Sequence, residues 1–189
     1  MLATSVYLGE AFPDNFCDDV MELASSLPEE DGGVGNIGGG GGVDKTIRRS
    51  KIKWIYPGEH SAFLFGSVDR LFKDMNREVF GLDIDFVPSI QFTEYDASDE
   101  GEYTWHADTH WVSNMMYHRK LSMSVQLSPS TAYEGGDLQL EEDAALPADL
   151  IRSRGTVIMF PSFIKHRVTP VTQGTRYSLV AWMEGPKFR

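Results

Sequence analysis

The chain has 189 residues, 41% of them hydrophobic, and a formal net charge of −11 at pH 7. This length supports one domain with a full hydrophobic core, and the composition is that of a globular rather than a disordered protein. The acidic charge argues against a general nucleic-acid binder, which would present a basic face. The single cysteine, Cys17, excludes an intramolecular disulfide and fits a reducing compartment.

The N-terminal sequence MLATSVYLGEAF lacks the basic and apolar segments of a signal peptide. No apolar run in the chain reaches the length of a membrane span. We therefore expect a cytoplasmic protein with neither a membrane nor a nucleic acid as partner. The sequence does not indicate an oligomeric state.

Two segments in residues 1–83 have helical periodicity. After Pro13, which suits a first helical turn, apolar residues recur at spacings of four, three and four, at Phe16, Val20, Leu23 and Leu27. A second helix is predicted within residues 60–80. Its apolar stripe consists of Leu64, Val68, Leu71, Phe72, Met75 and Val79. Both stripes indicate helices that pack on a core.

Between these helices, residues 31–43 contain eight glycines in thirteen positions. The segment lacks the lysine and hydroxyl residue of a phosphate-binding loop, so a nucleotide site is disfavoured. Glycine at this density predicts a flexible connection. It could be a plain linker or a lid that closes over a bound substrate.

From residue 84 to 189 the pattern changes to short β-type runs bounded by turn residues. Examples are VPSIQFTEY, KLSMSVQLS, GTVIMFPS and RYSLVAWM. Seven or eight such strands predict a sandwich or barrel rather than alternating strands and helices. The predicted fold is a single α+β domain, mainly β, in which N-terminal helices pack on a C-terminal β core.

The segment YTWHADTHW, residues 103–111, carries two of the five histidines beside an aspartate. In a strand, His106 and Asp108 share a face and could bind one metal ion. His110 has the same parity, but four residues of extended chain span roughly 13 Å, too far for a shared ion. A third ligand must therefore come from elsewhere in the fold.

The candidates for this ligand are His60, His118 and His166. His166 follows a strongly apolar strand and a Pro-Ser turn, so a β core could bring it beside the HxD strand. Two histidines and one carboxylate form the facial triad of non-haem Fe(II) oxygenases.

Ten residues after His166, Arg176 lies within an otherwise apolar strand. A buried guanidinium is costly unless it meets an anion, and its planar fork suits a carboxylate. Ser178 would lie on the same face and add a hydroxyl. The alternative is an internal salt bridge to an aspartate or glutamate.

The motifs QFTEY…GEYTWHAD, RKLSMSVQLS, YEGGDLQLEE and GTVIMFPSFIKHRVTPVTQGTRYSLVAWM occur in that order. With them, the segment from Ile90 to about Pro186 resembles the Fe(II)- and 2-oxoglutarate-dependent dioxygenases. Within that superfamily it is most similar to the prolyl 4-hydroxylase-like branch, which includes the bacterial PKHD-type hydroxylases.

The resemblance implies a double-stranded β-helix, a jelly-roll or cupin-like fold, with the N-terminal helices packed on one sheet. It implies Fe(II) bound by His106, Asp108 and His166, with no catalytic residue beyond these ligands. It also implies 2-oxoglutarate and O₂ as cosubstrates and ascorbate as an activator. Arg176 would bind the far carboxylate of 2-oxoglutarate, assisted by Ser178 and Tyr95.

The activity implied is hydroxylation of an unactivated C–H bond, first of all in a prolyl residue of a peptide or protein, with release of succinate and CO₂. Candidate substrate contacts are Arg48, Arg49, Trp54, Trp105 and Trp182. The alternatives are hydroxylation of a free amino acid or other small metabolite, and a non-enzymatic jelly-roll binding module.

Overall fold

The computed structural model of the protein describes residues 4–34, 42–109, 116–141 and 148–188. The helices in these ranges are α1 (Asp14–Ser25), α2 (Ala62–Met75) and α3 (Ala148–Arg152). The strands are β1 (Val6–Leu8), β2 (Glu30–Asp31), β3 (Arg48–Arg49), β4 (Lys51–Ile55), β5 (Ile90–Asp96), β6 (Glu102–His106), β7 (Tyr117–Gln126), β8 (Tyr133–Gly135), β9 (Leu138–Leu140), β10 (Val157–Pro161), β11 (His166–Val168) and β12 (Val171–Pro186).

These strands form two antiparallel sheets. The large sheet has eight strands in the order β1-β10-β7-β12-β5-β4-β2, with β8 paired to β12 outside this path. The small sheet has four strands in the order β3-β6-β11-β9. The fold is therefore mainly β, as predicted.

Side chains alternate between the two faces of the central strands. One face packs in the hydrophobic core under the helices, and the other faces the cavities. On β7, Leu121, Met123 and Val125 belong to the main hydrophobic cluster together with residues of α1 and α2. The intervening residues, Ser122, Ser124 and Gln126, are polar and line cavities on the opposite face. Because side chains alternate across a strand, the helices cover one face of the large sheet and leave the other for a site.

The large sheet takes strands from both parts of the chain. β1, β2 and β4 come from residues 1–83 and pair with β10 or β5, or with each other. Residues 1–83 thus contribute both helices and sheet strands, and pairing satisfies the backbone groups of these early strands within the large sheet.

The second helix differs from its prediction at its C-terminal end. Leu64, Val68 and Phe72 are buried on the expected stripe, but Val79 is 38% exposed. Residues Asn76–Phe80 continue α2 as a π-helical turn. The wider turn changes the helical phase, so that Phe80, 3% exposed, takes the buried position predicted for Val79.

Most of the glycine-rich segment, residues 35–41, lies outside the described residues, so the choice between a plain linker and a lid stays open. The two flanks of this segment are joined, since Val34 and Gly42 form an antiparallel bridge. None of the helices in the described part of the chain is long and apolar enough to cross a membrane.

Candidate metal and cosubstrate site

The three predicted metal ligands meet at one end of the small sheet. β6 ends at His106 and β11 begins at His166, and these residues pair directly in register. Asp108 lies beside both: its Oδ1 is 3.7 Å from His106 Nε2, and its Oδ2 is 3.6 Å from His166 Nε2. One donor atom from each residue lies within 4.8 Å of the other two.

Backbone contacts orient both imidazoles for metal binding. His106 Nδ1 lies 2.8 Å from the Thr104 carbonyl oxygen, and His166 Nδ1 lies 3.1 Å from the Ile164 carbonyl oxygen. Since a carbonyl oxygen only accepts, Nδ1 carries the hydrogen in each ring and Nε2 keeps its lone pair. Metal-binding histidines commonly show this arrangement. The donor set, two Nε2 atoms and one carboxylate, fits a non-haem Fe(II) ion.

The protonation states of two of these ligands also suit a metal ion. Burial, reinforced by the neighbouring His166, lowers the pKa of His106 to about 4, so its imidazole is neutral at pH 7. Burial opposes ionisation of Asp108, but His166 and His106 outweigh it and hold the pKa of Asp108 below its usual range. The site thus offers an anionic oxygen and a free imidazole lone pair.

The other predicted ligand candidates are not part of this group. His60 lies in the 3-10 turn Glu59–Ser61, and His118 lies buried on β7. His110 lies outside the described residues, so the prediction that it is not a ligand remains one.

Arg176 lies buried on β12 and is 4% exposed. Its Nε donates to Gln126 Oε1 at 3.1 Å, and its Nη1 lies 3.5 Å from Ser178 Oγ. Tyr95 pairs with it in register on β5, with the guanidinium carbon 5.7 Å from the ring centroid. In the described part of the chain, no carboxylate forms a salt bridge with Arg176. The internal ion pair considered from the sequence is therefore not found, and the guanidinium keeps capacity for an external anion.

One cavity of about 550 Å³ joins the two ends of this site. The proposed ligands His106, Asp108 and His166 line it, and so do Arg176, Ser178 and Tyr95. Three cation-binding donors and an anion-binding guanidinium thus share one cavity of the size that small ligands occupy.

Residues 90–184 match the sequence profile of the 2OG-Fe(II) oxygenase superfamily, and this match spans half of the chain. The chain belongs to this superfamily. All three proposed metal ligands and Arg176 lie within the matched range.

Within the superfamily, the chain resembles PKHD-type hydroxylases. It is 38% identical over 88 residues to one from Synechococcus sp. (strain CC9605), an alignment covering 46% of this chain and 39% of that protein. It is 32% identical over 103 residues to one from Shewanella oneidensis, covering 54% and 45%. The chain therefore aligns with less than half of the length of these relatives.

Solved structures of prolyl hydroxylases share the fold. A Pseudomonas putida prolyl-4-hydroxylase superposes with a TM-score of 0.70 at 19% identity, covering 97% of this chain and 93% of that one. A Trichoplax adhaerens prolyl hydroxylase, in complex with a hypoxia inducible factor oxygen degradation domain peptide fragment, superposes with a TM-score of 0.74 at 19% identity, covering 95% and 83%. The double-stranded β-helix expected from the sequence is thereby confirmed.

Of the five residues predicted to contact substrate, four line this cavity and one does not. Trp54, Trp105, Trp182 and Arg48 line the same cavity as the metal ligands. Arg49 does not line it, because its guanidinium pairs with Glu102 at 2.6 Å and Glu100 at 3.6 Å. A contact between Arg49 and substrate would have to form outside the cavity.

Arg119 is a cavity residue that the sequence interpretation missed. Its guanidinium carbon lies 3.8 Å from the ring centroid of Trp182, and among the described residues this guanidinium has no side-chain hydrogen bond or salt bridge, while the Arg119 carbonyl accepts from Thr109 Oγ1 at 2.7 Å. Regular alternation from Ser122 would point Arg119 away from the cavity. A register shift opposite Met183 and Glu184 changes the phase of β7 and turns Arg119 inward.

Proposed function

We propose that the protein is an Fe(II)- and 2-oxoglutarate-dependent dioxygenase that hydroxylates an unactivated C–H bond, most readily in a prolyl residue of a peptide or protein. His106, Asp108 and His166 would hold Fe(II). Arg176, with Ser178 and Tyr95 beside it, would bind the far carboxylate of 2-oxoglutarate, with O₂ as the second cosubstrate.

The observation that carries this proposal is the presence of both anchors in one cavity. Fe(II), when bound by these residues, would supply the oxidation chemistry, in which 2-oxoglutarate, O₂ and the C–H substrate yield succinate, CO₂ and the hydroxylated product. The chain's own residues hold the metal, orient the dicarboxylate and shield the site from water. No side chain needs to transfer a proton in this reaction.

Support for a peptidyl substrate comes from the aromatic part of the cavity wall. Trp54 and Trp182 lie with ring centroids 6.1 Å apart, and aromatic faces suit a proline ring. The guanidinium of Arg119, which lines the cavity, offers donors for backbone carbonyl oxygens. Among the similar solved structures, one is a prolyl-4-hydroxylase and another is a prolyl hydroxylase in complex with a peptide fragment.

A free amino acid is a second candidate substrate, favoured by charges of both signs at the cavity. Glu30, whose Oε1 accepts a hydrogen bond from Trp54 Nε1 at 2.8 Å, lines the cavity together with Arg119. A carboxylate and a guanidinium could bind the ammonium and carboxylate of one zwitterion. The non-enzymatic alternative, a jelly-roll binding module with a structural metal, would use the metal donors but leave the buried guanidinium of Arg176 without a cosubstrate carboxylate to bind.

Succinate formation tests the proposal. Protein loaded with Fe(II) should convert 2-oxoglutarate to succinate when given its substrate, and ascorbate should sustain turnover. Mass spectrometry of proline-containing peptides and of free amino acids should locate one added oxygen atom. An oxidised peptide with no oxidised amino acid would support the peptidyl assignment, and the reverse would support the second candidate.

Two variants of the proposed site test the roles of its residues, and a third variant at an exposed position serves as their control. Asp108→Ala should abolish turnover, and Arg176→Ala should raise the 2-oxoglutarate concentration required. Asp19→Ala, a change at an exposed position of α1, should leave both unaltered. Failure of the wild-type protein to bind 2-oxoglutarate in the presence of Fe(II) would refute the oxygenase assignment.

A further inference from the structure

The cavity face of β7 carries a polar ladder that the proposed reaction does not use directly. Ser122, Ser124 and Gln126 alternate with the apolar core residues of the same strand. Ser122 and Gln126 are buried, 1% and 4% exposed respectively. Since buried polar groups are costly unless paired, their partners indicate what the ladder does.

Ser122 contacts the carboxylate proposed as a metal ligand. Its Oγ donates to Asp108 Oδ2 at 2.6 Å and lies 2.9 Å from Ser162 Oγ. One hydroxyl has one hydrogen, so Ser162 must donate to Ser122. The Ser162 carbonyl also accepts from the backbone N–H of Asp108 at 2.9 Å. The carboxylate is thus oriented from its side chain and its backbone together.

Gln126, four residues along, contacts the proposed anion anchor. Its Oε1 accepts from Arg176 Nε at 3.1 Å, and its Nε2 donates to the Ser128 carbonyl at 3.2 Å. The second bond fixes the amide orientation, so that oxygen rather than nitrogen faces the guanidinium. With Nε occupied, Arg176 is held in one orientation, and its Nη groups remain to form the fork that binds a carboxylate.

We propose that Ser122 and Gln126 are separate positioning residues on one strand, Ser122 for the metal ligand Asp108 and Gln126 for the carboxylate anchor Arg176. β7 then fixes the separation between the two ends of the cosubstrate site, because four residues of a strand span roughly 13 Å. This inference rests on the proposed function. Neither residue needs to touch the substrate, metal or cosubstrate.

The metal arm of the test uses Co(II), which forms an inactive complex with a characteristic visible spectrum. Ser122→Ala should weaken Co(II) binding by about 10- to 100-fold, the usual effect of removing a partner of a metal ligand. It should also alter the Co(II) absorption bands, which report ligand geometry. Ser122→Thr, which keeps the hydroxyl, should restore both. Gln126→Met should leave both unchanged.

The cosubstrate arm uses calorimetric titration of the Co(II)-loaded protein. Gln126→Met should weaken 2-oxoglutarate binding by roughly tenfold, the value of one oriented hydrogen bond to a charged group. It should leave unchanged the binding of 2-oxopentanoate, which lacks the far carboxylate. A merely structural role for Gln126 would weaken both ligands alike. Ser130→Ala and Gln173→Met, both at exposed positions, are the matched controls.

Different results would contradict the proposed function and the positioning roles of Ser122 and Gln126. If the wild-type protein binds neither Co(II) nor 2-oxoglutarate, the proposed function is wrong. If it binds both and Ser122→Ala keeps wild-type Co(II) affinity and spectrum, or Gln126→Met weakens both keto acids equally, the positioning roles are wrong. Should Ser122→Ala not fold, the isosteric pair Ser122→Thr and Ser122→Val, of which only the first keeps the hydroxyl, makes the same comparison; equal Co(II) affinities of the two variants would overturn the proposal.

Discussion

At the scale of single residues, two guanidinium groups distinguish this cavity from an ordinary protein interior. Arg176 is buried beside polar but uncharged partners, and Arg119 stacks on Trp182. Burial lowers the pKa of Arg119, while the charges of Asp108 and Glu184 oppose that effect. A guanidinium remains charged in proteins, so both residues are prepared to receive an anion or a carbonyl oxygen.

Arg119→Met should weaken binding of the substrate identified by mass spectrometry by roughly tenfold or more, because hydrogen bonds to charged groups contribute about 1.5–3 kcal/mol. The same change removes a positive charge near Asp108 and should leave Co(II) binding as tight or tighter. Steady-state KM for substrate and Co(II) titration measure the two effects.

Arg119→Lys provides the comparison for this prediction. It keeps the charge but loses the planar fork and its stacking on Trp182, and should recover only part of the substrate affinity. Equal KM values for the wild-type protein and the Arg119→Met variant would remove Arg119 from the substrate site.

At the scale of elements, the central strands serve both the core and the site because their side chains alternate between the two faces of the sheet. β5, β7 and β12 each send one set of side chains to the helices and the other to the cavity. Glu94 is an exception, since it is a half-buried carboxyl on the helix-facing side of β5. Burial raises the pKa of Glu94, with Glu29 and Asp96 adding to the effect and Lys53 opposing it.

This raised pKa predicts a pH-dependent cost to stability. The fold favours protonated Glu94, so its ionisation favours unfolding: the cost is absent well below the unfolded-state pKa and complete above the folded-state pKa. Glu94→Gln should therefore increase the free energy of unfolding, relative to wild type, more at about pH 8 than at about pH 3.

Urea unfolding at both pH values measures this difference. Glu134→Gln removes an exposed carboxyl from β8 and serves as the control for the change in net charge. A gain from Glu94→Gln that is the same at both pH values would show that desolvation of this carboxylate does not limit stability.

At the scale of the whole molecule, the helical layer and the site lie on opposite faces of the large sheet. Phe72 on α2 is fully buried in the cluster that joins the helices to β5, β7, β10 and β12. Stability should therefore depend strongly on this layer, whereas the metal donors lie on the other side of the sheet.

Phe72→Ala should lower the free energy of unfolding by about 3–5 kcal/mol, the usual cost of a large cavity in a core. Co(II) affinity of the folded variant should remain that of wild type. Phe63→Ala, on the same helix but 40% exposed, should cost much less. Chemical unfolding and Co(II) titration would detect any coupling between the layer and the site, which this separation excludes.

The amino-acid sequence alone was enough to predict the fold class, the family and the residues proposed as metal and cosubstrate anchors. Helix period, strand alternation and the HxD motif are properties of neighbouring residues, so local spacing predicted them. The family and the roles of His166 and Arg176 came instead from the resemblance of the ordered motifs to a known superfamily. The polar face of β7 could have been read from the alternation in KLSMSVQLS, which would have singled out Ser122 and Gln126.

Which distant residues meet was established only by the folded chain. It brought His166 rather than His60 or His118 to the HxD pair, because strand register, not sequence distance, sets that contact. It also turned Arg119 inward at a register shift, placed Arg49 in surface ion pairs and exposed Val79 at a π-helical turn. Such irregularities change side-chain direction through backbone packing, which a periodic pattern cannot contain.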